Sequence, residues 1–261
     1  MEIRHFDSDL ELGLAAAHIA LEGIQQAARE GRSFILGCPG GRSPRSTYQS
    51  LAGLLAESHT SINHLFIAMM DEYAWQDPDG NFHNVDPDSH FSCVNFAFSE
   101  IFDVLNADLS PALRMPRDQV LYPLAQAPDA YETLLQELKV DLFLLASGAS
   151  DGHVAFNGVG TSRETGTRIA ALSFETRTDN LGTFPQFNSI DEVPIFGVTV
   201  GPATIASVSK SAIMLIQGGH KHRAYLRISQ AQGYEEDWPA TIALECQNSR
   251  LFADQLSTKS N

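Results

Sequence analysis

Three stretches of the chain carry residue types able to do acid–base or anion chemistry at spacings that bring them together. In SGASDGHVAFNGVG (147–160), Asp151 and His153 lie two positions apart across a glycine. Histidine is the side chain best suited to moving protons near neutral pH, and an adjacent carboxylate can orient its imidazole. In MMDEYAW (69–75), the acids Asp71 and Glu72 follow directly on an apolar run. A carboxylate at the mouth of a buried strand loses hydration, which raises its pKa towards the range of a general base. In LGCPGGRSP (36–44), Gly40 and Gly41 can take backbone angles closed to other residues, Ser43 suits an N-cap and Pro44 a first helical position. A helix begun there offers free N–H groups and a positive dipole to an anion, and Arg42 adds a planar donor. The run matches neither GxxxxGK[ST] nor GxGxxG, so it is not a nucleotide loop of either kind. Arg177 in FETRTDN and Lys221 in the GGHK turn are further cations able to clamp a phosphate. Taken singly, each feature also fits a structural part: a strand–turn–helix junction, a surface acid, a structural histidine, solvated cations.

These residues need a scaffold, and the apolar patterning supplies one. Residues 10–29 place Leu10, Leu14, Ala17, Ile19, Leu21 and Ile24 as the stripe of a helix, stopped by Gly31 after Arg29. SFILG predicts a buried strand, followed by a helix over 44–55 and a second strand, LFIAMM (65–70). The polar stretch 76–90, rich in Asp, Pro, Asn and Gly, predicts a long loop. Helices are expected over 95–105 and 125–138, then a strand at DLFLLAS (141–147). IAALS and PIFGVTVG are strand-like, 203–208 a short helix, SAIMLIQGG a strand and 221–230 a helix. Strands separated by helices predict βαβ units: a single three-layer α/β/α domain over 1–261 with a mostly parallel, Rossmann-like sheet. Ligands of such sheets bind at the carboxyl ends of strands, where all three motifs fall.

Composition removes several function classes. The chain has 261 residues, 17 Lys+Arg against 32 Asp+Glu and a net charge of −15, which repels phosphate backbones and argues against a nucleic-acid partner. Its three cysteines, Cys38, Cys93 and Cys246, are far apart, which excludes a cysteine-rich metal site and argues against a disulfide framework. No apolar stretch is long enough for a membrane span, and the acidic start MEIRHFDSDLEL does not have the form of a signal peptide. The expected setting is cytoplasmic, with a homo-oligomer left open.

In order and over almost the whole chain, the motifs resemble the glucosamine-6-phosphate deaminase family, the sugar-phosphate isomerase group that includes 6-phosphogluconolactonase. The resemblance is carried by LGCPGGRSP, MMDEY, PDSHFS, DLFLLASGASDGHVAFN, TSRETGTRI, ETRTDN, VPIFGVTVGPATI, GGHK and WPATIALECQ. Tyr73 and the run Ala155–Phe156–Asn157 favour the deaminase side over the lactonase branch. The resemblance implies Asp71 as the base moving a proton between C2 and C1, and Asp151 with His153 as the ring-opening pair. It implies Gly40, Gly41, Ser43, Arg177 and Lys221 at the phosphate, with no metal and no organic cofactor. Gly158 stands where the deaminases carry a Glu, with Glu164 and Glu175 as spatial substitutes, and Arg42 stands where the family has a small residue. His90 takes the place of a lid Tyr, and Ala170 that of a basic effector-site residue.

Three readings follow. In the first, an isomerase or deaminase acts on a phosphorylated amino sugar or hexose, of glucosamine- or galactosamine-6-phosphate type, through an enediol or enolamine. In the second, His153 activates water in a lactone hydrolase. The third is a sugar-phosphate sensor without catalysis.

Overall fold

In the computed structural model, which describes residues 1–259, the chain runs β1 (Glu2–Phe6), α1 (Asp9–Glu30), β2 (Phe34–Cys38), α2 (Arg45–Ser58), β3 (Leu65–Met69), β4 (Asp71–Gln76) and β5 (Phe82–Asn84). There follow α3 (Cys93–Phe96), α4 (Asp103–Asn106), β6 (Val120–Leu121), α5 (Pro128–Leu138), β7 (Leu142–Ala146), β8 (Arg168–Ala171) and α6 (Phe174–Thr183). The described residues end with β9 (Phe196–Thr199), α7 (Pro202–Val208), β10 (Ala212–Ile216), α8 (His222–Gln230), β11 (Ser249–Asp254) and α9 (Gln255–Thr258).

Successive side chains of a strand point to opposite faces, and the central strands use this to feed two cores. In β2, Phe34, Leu36 and Cys38 join one apolar cluster and Ile35 the other; in β10, Ile213 and Leu215 part in the same way from Met214 and Ile216. The first cluster is covered by α1 and α2, the second by residues of α5, α7 and α8. This is the expected three-layer architecture, with seven parallel strands in the order β1-β11-β10-β7-β2-β3-β6.

The strand order reverses direction at β2, which lies between β3 and the distant β7. A crevice opens at such a switch point outside the strand ends. The loop after β2 carries the glycine pair, and the loop after β7 carries Asp151 and His153.

A second sheet, β5-β4-β9-β8, is antiparallel throughout and departs from the expected single parallel sheet: the strand-like IAALS and PIFGVTVG belong to it. The 76–90 stretch is part hairpin, because Asp77 Oδ1 accepts the backbone N–H of Asp79 (3.0 Å) and Asn81 (2.8 Å) and turns the chain back into β5. The helix expected over 95–105 begins at Cys93 and contains a π-helical stretch, Ala97–Phe102. Among the described residues, no helix is long and apolar enough to cross a membrane.

Candidate active site

One residue, Met70, separates β3 from β4, and there the chain leaves the parallel sheet for the antiparallel one. The period-2 alternation of β4 then separates its two acids. Asp71 and Tyr73 face a cavity of about 260 Å³ at the switch point. Glu72 faces the opposite way and is fully buried, accepting Ser92 Oγ (2.6 Å) and the N–H groups of Tyr73 (2.7 Å), Cys93 (2.9 Å) and Val94 (2.8 Å). It thereby anchors the start of α3, whose first N–H groups need acceptors. Burial lifts the Asp71 carboxyl to about 7; the neighbouring Glu72 adds to the rise, while the Cys93 thiol (Sγ to Oδ1 3.3 Å) and His153 oppose it. A carboxylate with its midpoint near neutrality is a general base at physiological pH.

His153 lines the same cavity, and its Nδ1 lies 2.7 Å from Asp151 Oδ1. Assigning the proton to Nδ1 lets it donate to this carboxylate and leaves Nε2 as the ring's free acid–base atom. Burial works to raise the Asp151 pKa, but the hydrogen bonds and charge of His153 outweigh it and the net shift is downward, so Asp151 stays ionised. Gly148 makes the pairing sterically feasible: a Cβ there would lie 2.3 Å from His153 Nδ1 and 2.4 Å from Asp151 Oδ1. Asp71 and the imidazole loop are closely linked, since Thr199 pairs with Asp71 across the sheet and its hydroxyl accepts the N–H of Phe156 (3.1 Å).

Two cations, Arg42 and Lys221, line the cavity with Gly40 and Ser43, together with His220, whose pKa burial and the nearby Lys221 and Arg42 lower. Lys221 Nζ donates to the Ser147 carbonyl; burial and the nearby Arg42 lower its pKa, opposed by Asp179. Arg42 has no acid partner among the described residues and is exposed, as a guanidinium kept for a ligand would be. Gly41 shapes the turn with φ 85° and is not in the lining. Ser43 also faces the cavity and does not cap a helix: α2 starts at Arg45 with Pro44 in the cap position.

The structure gives Arg177 another place. Its guanidinium donates to the carbonyls of Ile190 (2.5 Å) and Val193 (3.0 Å), bracing the segment after α6, and it does not line the cavity. Glu164 pairs with Arg163 at the surface and Glu175 lies exposed in the first turn of α6, so neither stands beside His153. His90 packs among Phe91, Phe184 and Phe187. Residues not singled out from sequence also reach the cavity: Cys93, His220, Gln217, and Asp179, Asn180 and Thr183 from α6. A helical reading of FETRTDNLGT would have put 176, 180 and 183 on one face. Asn180 Nδ2 and Gln217 Oε1 are buried with no partner among the described residues, leaving a donor and an acceptor for ligand hydroxyls. Donor atoms of Asp151, His153 and Asp179 lie within 4.8 Å of one another, near enough to ligate a cation, although the Asp151–His153 hydrogen bond already occupies one oxygen and one nitrogen.

Fold and site together define an α/β protein equipped for proton transfer on a small anionic ligand held at a strand switch point. The family model described as glucosamine-6-phosphate isomerases/6-phosphogluconolactonase matches residues 7–252. The chain is 30% identical over 248 residues to a glucosamine-6-phosphate deaminase of Bacillus pumilus (strain SAFR-032), covering 92% of each. It is 30% identical over 242 residues to glucosamine-6-phosphate deaminase 1 of Bacillus subtilis (strain 168), covering 92% of this chain and 91% of that one. The solved structure of a monomeric glucosamine-6-phosphate deaminase aligns with a TM-score of 0.80 at 26% identity over 99% of both chains. The 6-phosphogluconolactonase from Trypanosoma cruzi, 18% identical with a TM-score of 0.67 over 98% of this chain and 95% of that one, shares the fold. The chain belongs to the glucosamine-6-phosphate isomerase/6-phosphogluconolactonase family.

Proposed function

We propose that the chain is an aldose–ketose isomerase/deaminase of hexosamine 6-phosphates, glucosamine 6-phosphate being the leading substrate. The observation that carries this reading is a buried carboxylate with its midpoint at about 7 lining one cavity with a carboxylate-oriented imidazole and the two cations Arg42 and Lys221. Arg42, Ser43, Gly40 and Lys221 hold the phosphate, whose remote binding energy fixes the sugar carbons against Asp71. Arg42 takes the guanidinium role expected of Arg177, which is engaged elsewhere. His153, oriented by Asp151, moves the proton that opens the ring. Asp71 then removes the C2 proton and returns it to C1 through an enolamine; water adds to the resulting C2 imine, and ammonia leaves as the ketose forms. No step requires a redox change. Buried free thiols and an acidic composition support a cytoplasmic setting.

The test is ammonia release and product NMR across hexosamine 6-phosphates, ketose phosphates and 6-phosphogluconolactone. Asp71→Asn is expected to abolish ammonia release while still binding sugar phosphate. Hydrolysis of the lactone that survives Asp71→Asn, with no ammonia from any amino sugar, would assign the chain to the lactonase side.

A further inference from the structure

The first turn of α6 carries two hydroxyls with unusual partners. Ser173 caps this helix by accepting the N–H of Thr176 (3.0 Å), and the same oxygen lies 3.4 Å from Asp151 Oδ2. Thr176 is 2% exposed, and its Oγ1 lies 3.3 Å from His153 Nδ1 and 3.0 Å from Ser173 Oγ. The other threonines of α6 behave differently. Thr178 and Thr183 donate to the carbonyls four residues back, Phe174 (2.8 Å) and Asp179 (3.0 Å), the ordinary local solution for a helical hydroxyl. Thr176 instead turns its hydroxyl to the imidazole. Gly158 lies beside the same turn: a Cβ there would rest in ordinary van der Waals contact with Ser173 Cβ at 3.6 Å and Oγ at 3.7 Å.

We propose that Ser173 and Thr176 are positioning residues that hold the Asp151–His153 pair in its reactive orientation. Each touches a different member of the pair, and together they close a ring of contacts: Asp151 to His153, His153 to Thr176, Thr176 to Ser173, Ser173 to Asp151. Rotation of the imidazole about χ2 breaks two of the four, so the ring fixes which nitrogen faces the cavity. Misplacement of an acid–base group by an ångström is enough to lower turnover substantially. Because α6 also lends Asp179, Asn180 and Thr183 to the cavity wall, the element that meets the ligand is the one that aligns the proton-transfer pair.

The inference rests on the proposed role of His153, and the experiment separates the two. Steady-state kinetics with glucosamine 6-phosphate are compared for Thr176→Val, which keeps volume and loses the hydroxyl, for Thr176→Ser, and for Ser173→Gly. Glycine is nearly as good an N-cap as serine, so the last variant removes the contact with Asp151 while sparing the helix start. It also reads the same ring should Thr176→Val fail to fold. Expected are a fall in kcat of about tenfold for Thr176→Val and Ser173→Gly with KM within about twofold, and recovery in Thr176→Ser. Unchanged kcat in Thr176→Val and Ser173→Gly, with His153→Gln inactive, overturns the positioning role alone. Parallel loss of kcat and thermal stability in all three, Thr176→Ser included, also overturns it. Full turnover by His153→Gln overturns the parent reading and this inference together.

Discussion

Replacing Asp71 with Asn should make the protein dead and sturdier at once, and the gain in stability should depend on pH in a calculable way. In the unfolded chain this carboxyl titrates near 3.8, in the folded one at about 7. A raised native pKa means the folded state binds the proton more tightly, so the contribution to wild-type stability is complete below 3.8 and disappears as pH rises through 7. At 1.36 kcal/mol per unit, the burden of ionising Asp71 in place is on the order of 2 kcal/mol at pH 5 and 4 kcal/mol at pH 8. Asparagine never ionises, and its oxygen can still accept the Cys93 thiol. The stability of Asp71→Asn relative to wild type should therefore grow by roughly 2–3 kcal/mol between those pH values, or roughly 5–10 °C in Tm for a chain of this size. Thermal melts of both proteins at pH 5 and 8 measure the difference. Ammonia release from glucosamine 6-phosphate should fall by a factor of about 10³ or more, with sugar-phosphate binding within a few-fold. A Tm difference that does not widen with pH would refute the claim that burial holds this carboxyl near neutrality.

Wild-type kcat/KM should fall below an acid limb with a midpoint near 7, because Asp71 acts as base only when ionised; a limb near 4 would remove it from that role. Gly148→Ala drives a methyl into the contact between Asp151 and His153, so kcat should drop about a hundredfold, measured with circular dichroism to confirm folding. Arg42→Ser should raise KM about tenfold with kcat little changed, whereas Arg177→Ala should lower Tm and leave KM alone; the opposite pattern would return the phosphate to Arg177. Glu72→Ala strips several buried donors of their acceptor and should cost about 3 kcal/mol or more in urea unfolding.

The four central strands of the parallel sheet are legible because burial on both faces gives continuous apolar runs such as FILGC and AIMLI, whereas the largely exposed β1, the two-residue β6 and the more polar SRLFAD of β11 are not. The second sheet is legible only in part: β8 and β9 read as strands in IAALS and PIFGVTVG, but nothing local says that they pair antiparallel, and DEYAWQ begins with two acids, which local propensity assigns to a turn. Asp151 and His153 stand out because a histidine beside an acid after an apolar strand has few bland explanations. Arg177 is ambiguous in the sequence for a physical reason: an arginine in a polar stretch suits a ligand anion and two backbone carbonyls equally well, and only the fold shows that its guanidinium meets Ile190 and Val193. Cys93 reaches the cavity from the first position of α3 and His220 from a single turn before α8, too little of either for a periodic trace. The two acids of MMDEYAW look alike in the sequence, and only the pleat of β4 sends one to the cavity and the other to a helix start.

The loop bearing His153 emerges from the large sheet, yet it is stitched to the small one: Phe156 donates to Thr199, and Asn157 Nδ2 to the carbonyl of Val200 (2.7 Å). Asp71 rides on that same small sheet, directly opposite Thr199. Rocking of one sheet against the other would therefore carry Asp71 and the His153 loop together, as two jaws bolted to a single bracket. On the proposed roles, the spacing of base and imidazole rests on an amide and a hydroxyl outside the cavity lining, and loosening either would blunt the chemistry with every reacting group still in place.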